Sequence, residues 1–258
     1  AAQAQRGARS GYIDMEYILE NVPEYKEAST QLEGKVLQQG DMVSHSGMIQ
    51  EIKTFQDAGT DNVFWTNAMF GGMPSYQIGG VKMSTFLTQL INPFKLFFAD
   101  PIGVFILTML CSYIALLTFG VSSWISLIGA IIFGFTSNSF ILWEAGHVTK
   151  LNAIAYGALV IGGFNLAVLK KRYLLGATLF GIGLGLNIRS FHIQMTYYLF
   201  LIMLFYYGFT VIDAIKKKYL PELVKASLAL AIGGALAVGS NATNLWVNYS
   251  YSQDTMRG

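Results

Sequence analysis

Charge is what this sequence has least of. Lysine, arginine, aspartate and glutamate together make up 12% of its 258 residues, about half of the roughly 25% usual in a soluble globular domain. Cysteine is nearly absent as well. The single Cys111 lies inside an apolar run, which excludes a disulfide framework and a cysteine metal site and leaves a small packing residue. A net charge of +2 is too small to suit a nucleic-acid partner, so none is expected. There is also no internal repeat and no low-complexity tract.

What is present is apolar, and unevenly placed. Hydrophobic residues make up 53% of the chain, concentrated between Pro101 and about Ser240, whereas Ala1 to about Asp100 is polar and mixed. The apolar part divides into six expected membrane spans: Ile102 to Phe119, Trp124 to Trp143, Leu151 to Leu169, Tyr173 to Ile188, Met195 to Ile212 and Leu223 to Ser240. Most approach the roughly 17 to 25 residues that cross a hydrocarbon core as a helix. Glycines recur within them, where in lipid they let backbones approach closely. The expectation is an all-α polytopic membrane protein of about six transmembrane helices with a large first extracytoplasmic loop.

Short basic loops set the expected orientation. Lys170, Lys171 and Arg172 separate spans three and four; Lys216, Lys217 and Lys218 separate spans five and six. Two spans lie between these clusters, so they share a side, which the positive-inside rule makes cytoplasmic. Residues before Ile102 and after Ser240, and the Glu144–Lys150 and Arg189–Gln194 loops, then lie outside. In the polar part, Ala1–Gln5 reads as the remnant of a secretory cleavage site, Gly11–Leu19 as a short strand and Pro23–Leu32 as the opening of a helix. Turn signals and short amphipathic pieces fill Gly34–Phe98.

Three clusters on the expected outer side carry the chemistry-bearing side chains. The first holds Asp41 and His45, four apart; the second Glu144, His147 and Lys150; the third Arg189, His192 and Gln194. All three histidines of the chain fall in them. Each residue also has a plain structural reading: Glu144 and Arg189 as solvated or snorkelling helix ends, Asp41 as a turn former beside Gly40, His147 and His192 as helix-end caps. Gathered into one cavity, they would suit group transfer from a lipid-borne phosphate donor. Asp41 or Glu144 would be the base that activates an acceptor hydroxyl. Arg189, Lys150 and the histidines would steady the departing phosphate. A divalent metal ion on Asp41, His45, Glu144 and His147 is a weaker alternative, since the spacing is not a diagnostic metal motif.

The stretches GKVLQQGDMVSHSGM, WTNAMFGGMPSYQI, EAGHVTK, RSFHIQMTYY and NATNLW resemble, in order and spacing, the YfhO-type family of bacterial membrane proteins, which belong with the GT-C glycosyltransferases. The resemblance covers about 220 residues from Gly34 onward. It implies a multi-pass fold in the bacterial inner membrane. It also implies a polyprenyl-phosphate-linked sugar as donor and a cell-envelope glycan or lipid as acceptor. By the same resemblance Asp41, in the first extracytoplasmic loop, is the catalytic acidic residue. The roles of Glu144, His147 and Arg189 rest on their placement alone. Residues 1–33, with the run YIDMEYILENVPEY, resemble the start of an OmpH/Skp-type periplasmic chaperone of Gram-negative bacteria. The expectation is a composite chain: a segment 1–33, a first extracytoplasmic loop 34–100, a transmembrane domain 101–240 and the start of a further outer segment 241–258. A helix would ordinarily precede Gly34, and the parent would continue past Gly258. The alternative functions are a lipid or glycan transporter or flippase, disfavoured by spans nearly free of ionisable residues, and a chaperone-like module.

Overall fold

The computed structural model describes residues 47–59, 63–68, 72–75 and 86–253. They fall in two units, one comprising Ala1–Val81 with Glu144–Gly146, the other Lys82–Trp143 with His147–Gly258. The strand expected at Gly11–Leu19, the helix expected at Pro23–Leu32, and the chaperone-like segment as a whole lie outside the described residues.

The first unit contains α1 (Gln50–Asp57) and a short antiparallel pair, β1 (Trp65–Thr66) with β2 (Met73–Pro74). Two residues per strand make a weak ladder, and side chains reinforce it. One oxygen of Glu51, in the first turn of α1, accepts hydrogen bonds from the Thr66 hydroxyl and from the backbone N–H groups of Asn67 and Ala68. At the other side of the pair, the Ser75 backbone N–H donates to the Phe64 carbonyl at 3.1 Å, and the Ser75 hydroxyl donates to the Val63 carbonyl.

The second unit is helical throughout its regular elements: α2 (Phe86–Phe94), α3 (Ile102–Thr118), α4 (Ser123–Gly134), α5 (Ser137–Glu144), α6 (Val148–Val168), α7 (Tyr173–Arg189), α8 (Ile193–Lys217), α9 (Leu220–Ser240) and α10 (Ala242–Gln253). Helix stands at all six places where the hydropathy pattern puts a span. Four stretches are long and apolar enough to cross a membrane: Ser123–Glu144, Val148–Val168, Ile193–Lys217 and Leu220–Ser240. The others, α3 and α7, are apolar but have 17 residues each. At 1.5 Å per residue they reach about 25 Å, a little short of a hydrocarbon core of about 30 Å. Large apolar side chains cover much of the outside, among them Trp124, Leu174, Phe209 and Leu236. In water such a surface would associate; in hydrocarbon it is the ordinary one. The fold is thus compatible with a multi-pass membrane protein.

The structure differs from expectation in two helices. The second expected span, Trp124 to Trp143, is broken into α4 and α5 at Phe135–Thr136. The cause is local: the run Thr136-Ser137-Asn138-Ser139 offers side-chain partners that compete with the helical ladder. The Thr136 and Ser139 hydroxyls lie 3.0 Å apart and the Ser139 N–H bonds the Thr136 carbonyl. Around the joint the rings of Phe105, Phe135 and Phe140 stack, with centroids 5.2 to 6.0 Å apart. In the fifth span, α8 continues five residues past the expected end at Ile212, to Lys217. It stops at Lys218, which adopts a left-handed conformation (φ 60°), and an i, i+4 ion pair between Asp213 and Lys217 at 3.0 Å lies on its last turns.

Helix α6 is the centre of this unit, packed against α3, α7, α8 and α9. One core cluster joins Leu107 and Cys111 of α3 to Tyr156 and Leu159 of α6 and Leu186 of α7. A second joins Phe164 and Ala167 of α6 to Ala214 of α8 and Leu223 and Ala226 of α9. Where α6 and α7 cross, glycine decides the spacing: a Cβ at Gly176 would lie 2.5 Å from the Ala167 backbone nitrogen, and one at Gly163 would collide with the Phe180 backbone. Short α2 belongs to this packing too, since its Leu87, Leu90, Ile91 and Phe94 meet the first cluster.

Three buried asparagines tie the helices together by their side-chain amides. Asn165 donates to the Thr118 carbonyl at the end of α3 (2.7 Å), and Asn241 donates to the Gly185 carbonyl of α7 (3.0 Å). Asn187 donates to the Ala153 carbonyl of α6 at 2.7 Å and accepts from the Thr196 hydroxyl of α8 at 2.8 Å. These ties place the ends of α3 and α6 together at one end of the bundle. At the other end they join the C-terminal part of α7 to the starts of α6 and α8.

Candidate functional site

The second of those ends carries residues of the second and third clusters. His147 is the N-cap of α6 and His192 the N-cap of α8, and neither side chain closes the cap by a hydrogen bond to its helix. Both helices therefore present their first N–H groups and the positive ends of their dipoles at this end. Lys150 lies in the first turn of α6, and Arg189 is the last residue of α7. A tight turn between α7 and α8, with Phe191 at φ 57°, folds Phe191 back so that the Arg189 guanidinium lies 5.4 Å from its ring centre.

His192 shows that the second and third clusters meet. Its imidazole is held below the ordinary histidine value, first by burial and then by the positive charge of Lys150, with a smaller contribution from His147; a hydrogen bond within its own residue opposes these. Lys150 and His147 act on it through their charge from the start of α6, some forty residues away in sequence. The Nδ1 atom is buried and, among the described residues, bonds no other. Gln194, exposed on the first turn of α8, donates to the Tyr198 hydroxyl at 2.8 Å.

The structure thus brings together His147, Lys150 and His192, and sets Arg189 on the turn beside them. Glu144 is exposed at the end of α5 and falls within the first unit. Asp41 and His45 lie outside the described residues. Among the described residues no three histidine, cysteine, aspartate or glutamate side chains gather as a metal would require.

Three features here are missing from the sequence reading. Among the described residues of the first unit Glu51 is a firmly engaged carboxylate, and its three hydrogen bonds, led by the Thr66 hydroxyl and the Asn67 N–H, hold its carboxyl below the usual range. Nothing in the sequence separates Glu51 from other loop carboxylates. Asn187 adjoins the Arg189 cluster, and an amide within an apolar span is the signal that could have found it. The third is a groove.

That groove is a cavity of about 530 Å³ walled by α3, α4, α6 and α8, and its lining is almost wholly apolar. Leu116, Phe133, Gly157, Ala158, Leu199 and Ile202 form much of its surface. Phe133 and Ile202 are also exposed on the outside of the bundle, so the groove opens sideways. Met195 and Tyr198 stand at the end nearest the basic cluster.

No known protein family, no curated protein and no solved structure matches this chain.

Proposed function

We propose that this chain is part of a GT-C-type glycosyltransferase of the bacterial inner membrane. It moves a sugar from a polyprenyl-phosphate donor to a cell-envelope glycan or lipid on the extracytoplasmic side. The observation that carries this reading is that Asn187 ties the end of α7 to the starts of α6 and α8, which sets His147, Lys150, Arg189 and His192 at one end of an apolar helical bundle. The YfhO-like motifs quoted above supply the chemistry, and the basic loops at the opposite helix ends supply the orientation. On this reading six spans cross the bilayer and the cluster faces outward.

In the reaction, a carboxylate takes the proton of the acceptor hydroxyl as its oxygen attacks the anomeric carbon. The bond from that carbon to the phosphate oxygen breaks, and the lipid phosphate leaves with the electron pair. Cations at the mouth of the bundle stabilise the charge that develops there. Asp41 is the residue assigned as base, with Glu144 the alternative.

The test is transfer from a polyprenyl-phosphate sugar by the full chain in native membranes. Asp41→Asn should lower the rate by about 10²–10⁴-fold while membrane insertion stays normal. Glu144→Gln serves as the comparison. Unchanged transfer by Asp41→Asn removes it as base, and no transfer by the parent protein overturns the reading.

A further inference from the structure

The antiparallel pair of the first unit has two unlike faces. Trp65 lies opposite Pro74 and Thr66 opposite Met73, so alternation puts Thr66 and Met73 on one face and Trp65 and Pro74 on the other. The first face is the inner one, since Thr66 and Met73 are buried. Trp65, on the outer face, is 54% exposed.

That exposed ring is nonetheless held. Its Nε1 donates to the Asn67 side-chain oxygen at 3.1 Å. A Cβ built on Gly72 would lie 2.9, 3.0 and 3.2 Å from Cζ2, Nε1 and Cε2 of the indole. Cε2 joins the other two atoms and is the farthest of the three, so Gly72 stands off the ring edge and not above its face. Asn67 is fixed in turn, because its backbone N–H donates to the Glu51 carboxylate at 2.9 Å. Two contacts therefore grip one edge of the indole, and neither covers a face.

The surroundings select what can lie on such a face. The described residues of the hairpin, 63–68 and 72–75, include no charged side chain, so an ionic ligand finds no counter-charge there. Phe64 is also exposed, but alternation assigns it to the opposite side of the pair from Trp65. A single indole is far smaller than the apolar patch of several hundred Å² that marks a protein or membrane contact. At a bilayer interface a tryptophan keeps its N–H for the wet side, whereas here Asn67 has taken it. That bond occupies the Asn67 carbonyl oxygen and leaves its amide nitrogen as a donor beside the ring edge. The negative face of an indole attracts weakly positive C–H bonds. A neutral ring with C–H bonds on its face and hydroxyls around its rim meets all these conditions, and a pyranose is such a ring. Fixing the indole beforehand also removes an ordering cost from binding.

We propose that Trp65 is a stacking platform for a saccharide. One neutral pyranose lays its C–H face on the indole, and the Asn67 amide donates to a hydroxyl at its rim. The assignment deepens the glycosyltransferase reading and rests on it only for calling this saccharide the acceptor glycan; binding is separable from transfer.

The experiment labels the full chain with 5-fluorotryptophan in phosphatidylcholine nanodiscs, which gives one fluorine resonance for each of four tryptophans. Trp65→Phe identifies that of Trp65. Cellotetraose, whose equatorial hydroxyls leave C–H bonds on both ring faces, should shift the Trp65 resonance and leave Trp124, Trp143 and Trp246 in place. Trp65→Ala should weaken binding about fivefold or more, read by saturation transfer to the sugar C–H protons. Trp65→Phe, which keeps an aromatic face, should retain more binding than Trp65→Ala, so a lost platform is told from a lost fold. Asn67→Ala should weaken binding less than Trp65→Ala, and Trp124→Ala, in the second unit, should leave it unchanged. Xylitol, a polyol without a ring, should not displace the sugar. An unmoved Trp65 resonance, equal binding by Trp65→Ala, or displacement by xylitol overturns the proposal. So does broadening of the Trp65 resonance by a spin-labelled phosphatidylcholine, which makes the ring a membrane anchor. Sugar binding without transfer by the parent protein leaves the platform and sinks the glycosyltransferase reading; transfer without sugar binding does the reverse.

Discussion

Asn187 does at one residue what several contacts do elsewhere. Its amide bonds the Ala153 carbonyl and its carbonyl oxygen receives the Thr196 hydroxyl, so one buried side chain fixes three helices just beneath the basic cluster. An asparagine in a span has no water to fall back on, and helix-to-helix bonds of this sort contribute about 0.6–2 kcal/mol in membranes. Asn187→Leu should lower thermal stability in detergent by about that amount for each bond lost. Thr196→Val should lose less, and the double variant should lose less than the sum, because the two share one bond. Additive losses would show that the Thr196 bond contributes nothing. His192, a few residues on, illustrates what sequence alone could not give. Its place between two spans was legible, yet the burial and the Lys150 charge that lower its affinity for protons depend on a helix crossing that no local pattern encodes.

Among the helices, legibility followed hydropathy. All six apolar stretches are helical, the form in which a long apolar run without prolines satisfies its backbone polar groups within itself. Boundaries followed less well. The break at Phe135–Thr136 was hidden because averaging over a span hides four short polar residues among bulky ones. The extra turns of α8 past Ile212 were hidden because charge at Asp213–Lys217 resembles a loop. Glycine was legible as a packing residue, but which glycines pack was not. Gly163 and Gly176 lie where α6 and α7 touch backbone to backbone, whereas Gly208 and Gly239 have open space around them. Gly176→Val should therefore abolish well-folded protein in a size-exclusion assay. Gly208→Ala should leave it unchanged or stabilise the helix by up to about 1 kcal/mol. Equal tolerance at both positions would contradict the close crossing.

For the whole molecule, the alternation of helices makes a statement about sidedness. The Asn165–Thr118 bond gathers the ends of α3 and α6 at the end of the bundle where Lys170 follows, and the His192 cluster gathers at the other. Every turn between these helices must then lie at one end or the other, and the positive-inside rule predicts that the basic loops lie on the cytoplasmic side. In a Cys111→Ala background, Lys171→Cys and Lys217→Cys should react with an impermeant thiol reagent only in inverted vesicles. Gln194→Cys should react only from the outside of intact cells. Labelling of Lys171→Cys and Gln194→Cys from the same side would refute the alternation itself; a clean reversal would refute only the sign. The first unit was less legible: its two-residue strands fall below any periodic signal, and Glu51 earns its place through partners fifteen and more residues away.

The joint at Phe135–Thr136 has a mechanical consequence. Each half of the broken rod has its own mooring. Helix α4 leans on α3 through Gly129 against Leu116 and Gly134 against Met109, while α5 is pinned by Leu142 and Trp143 against Val104 and Leu151. The 12 residues of α4 form a lever about 18 Å long, so a tilt of roughly 5° at the joint moves its far end by roughly 1.5 Å. Phe133, on the groove wall, sits beside the pivot and Gly129 further along the arm. Such a rocking would widen the groove more beside Gly129 than beside Phe133. One wall could then yield while those formed by α3, α6 and α8 stay in place.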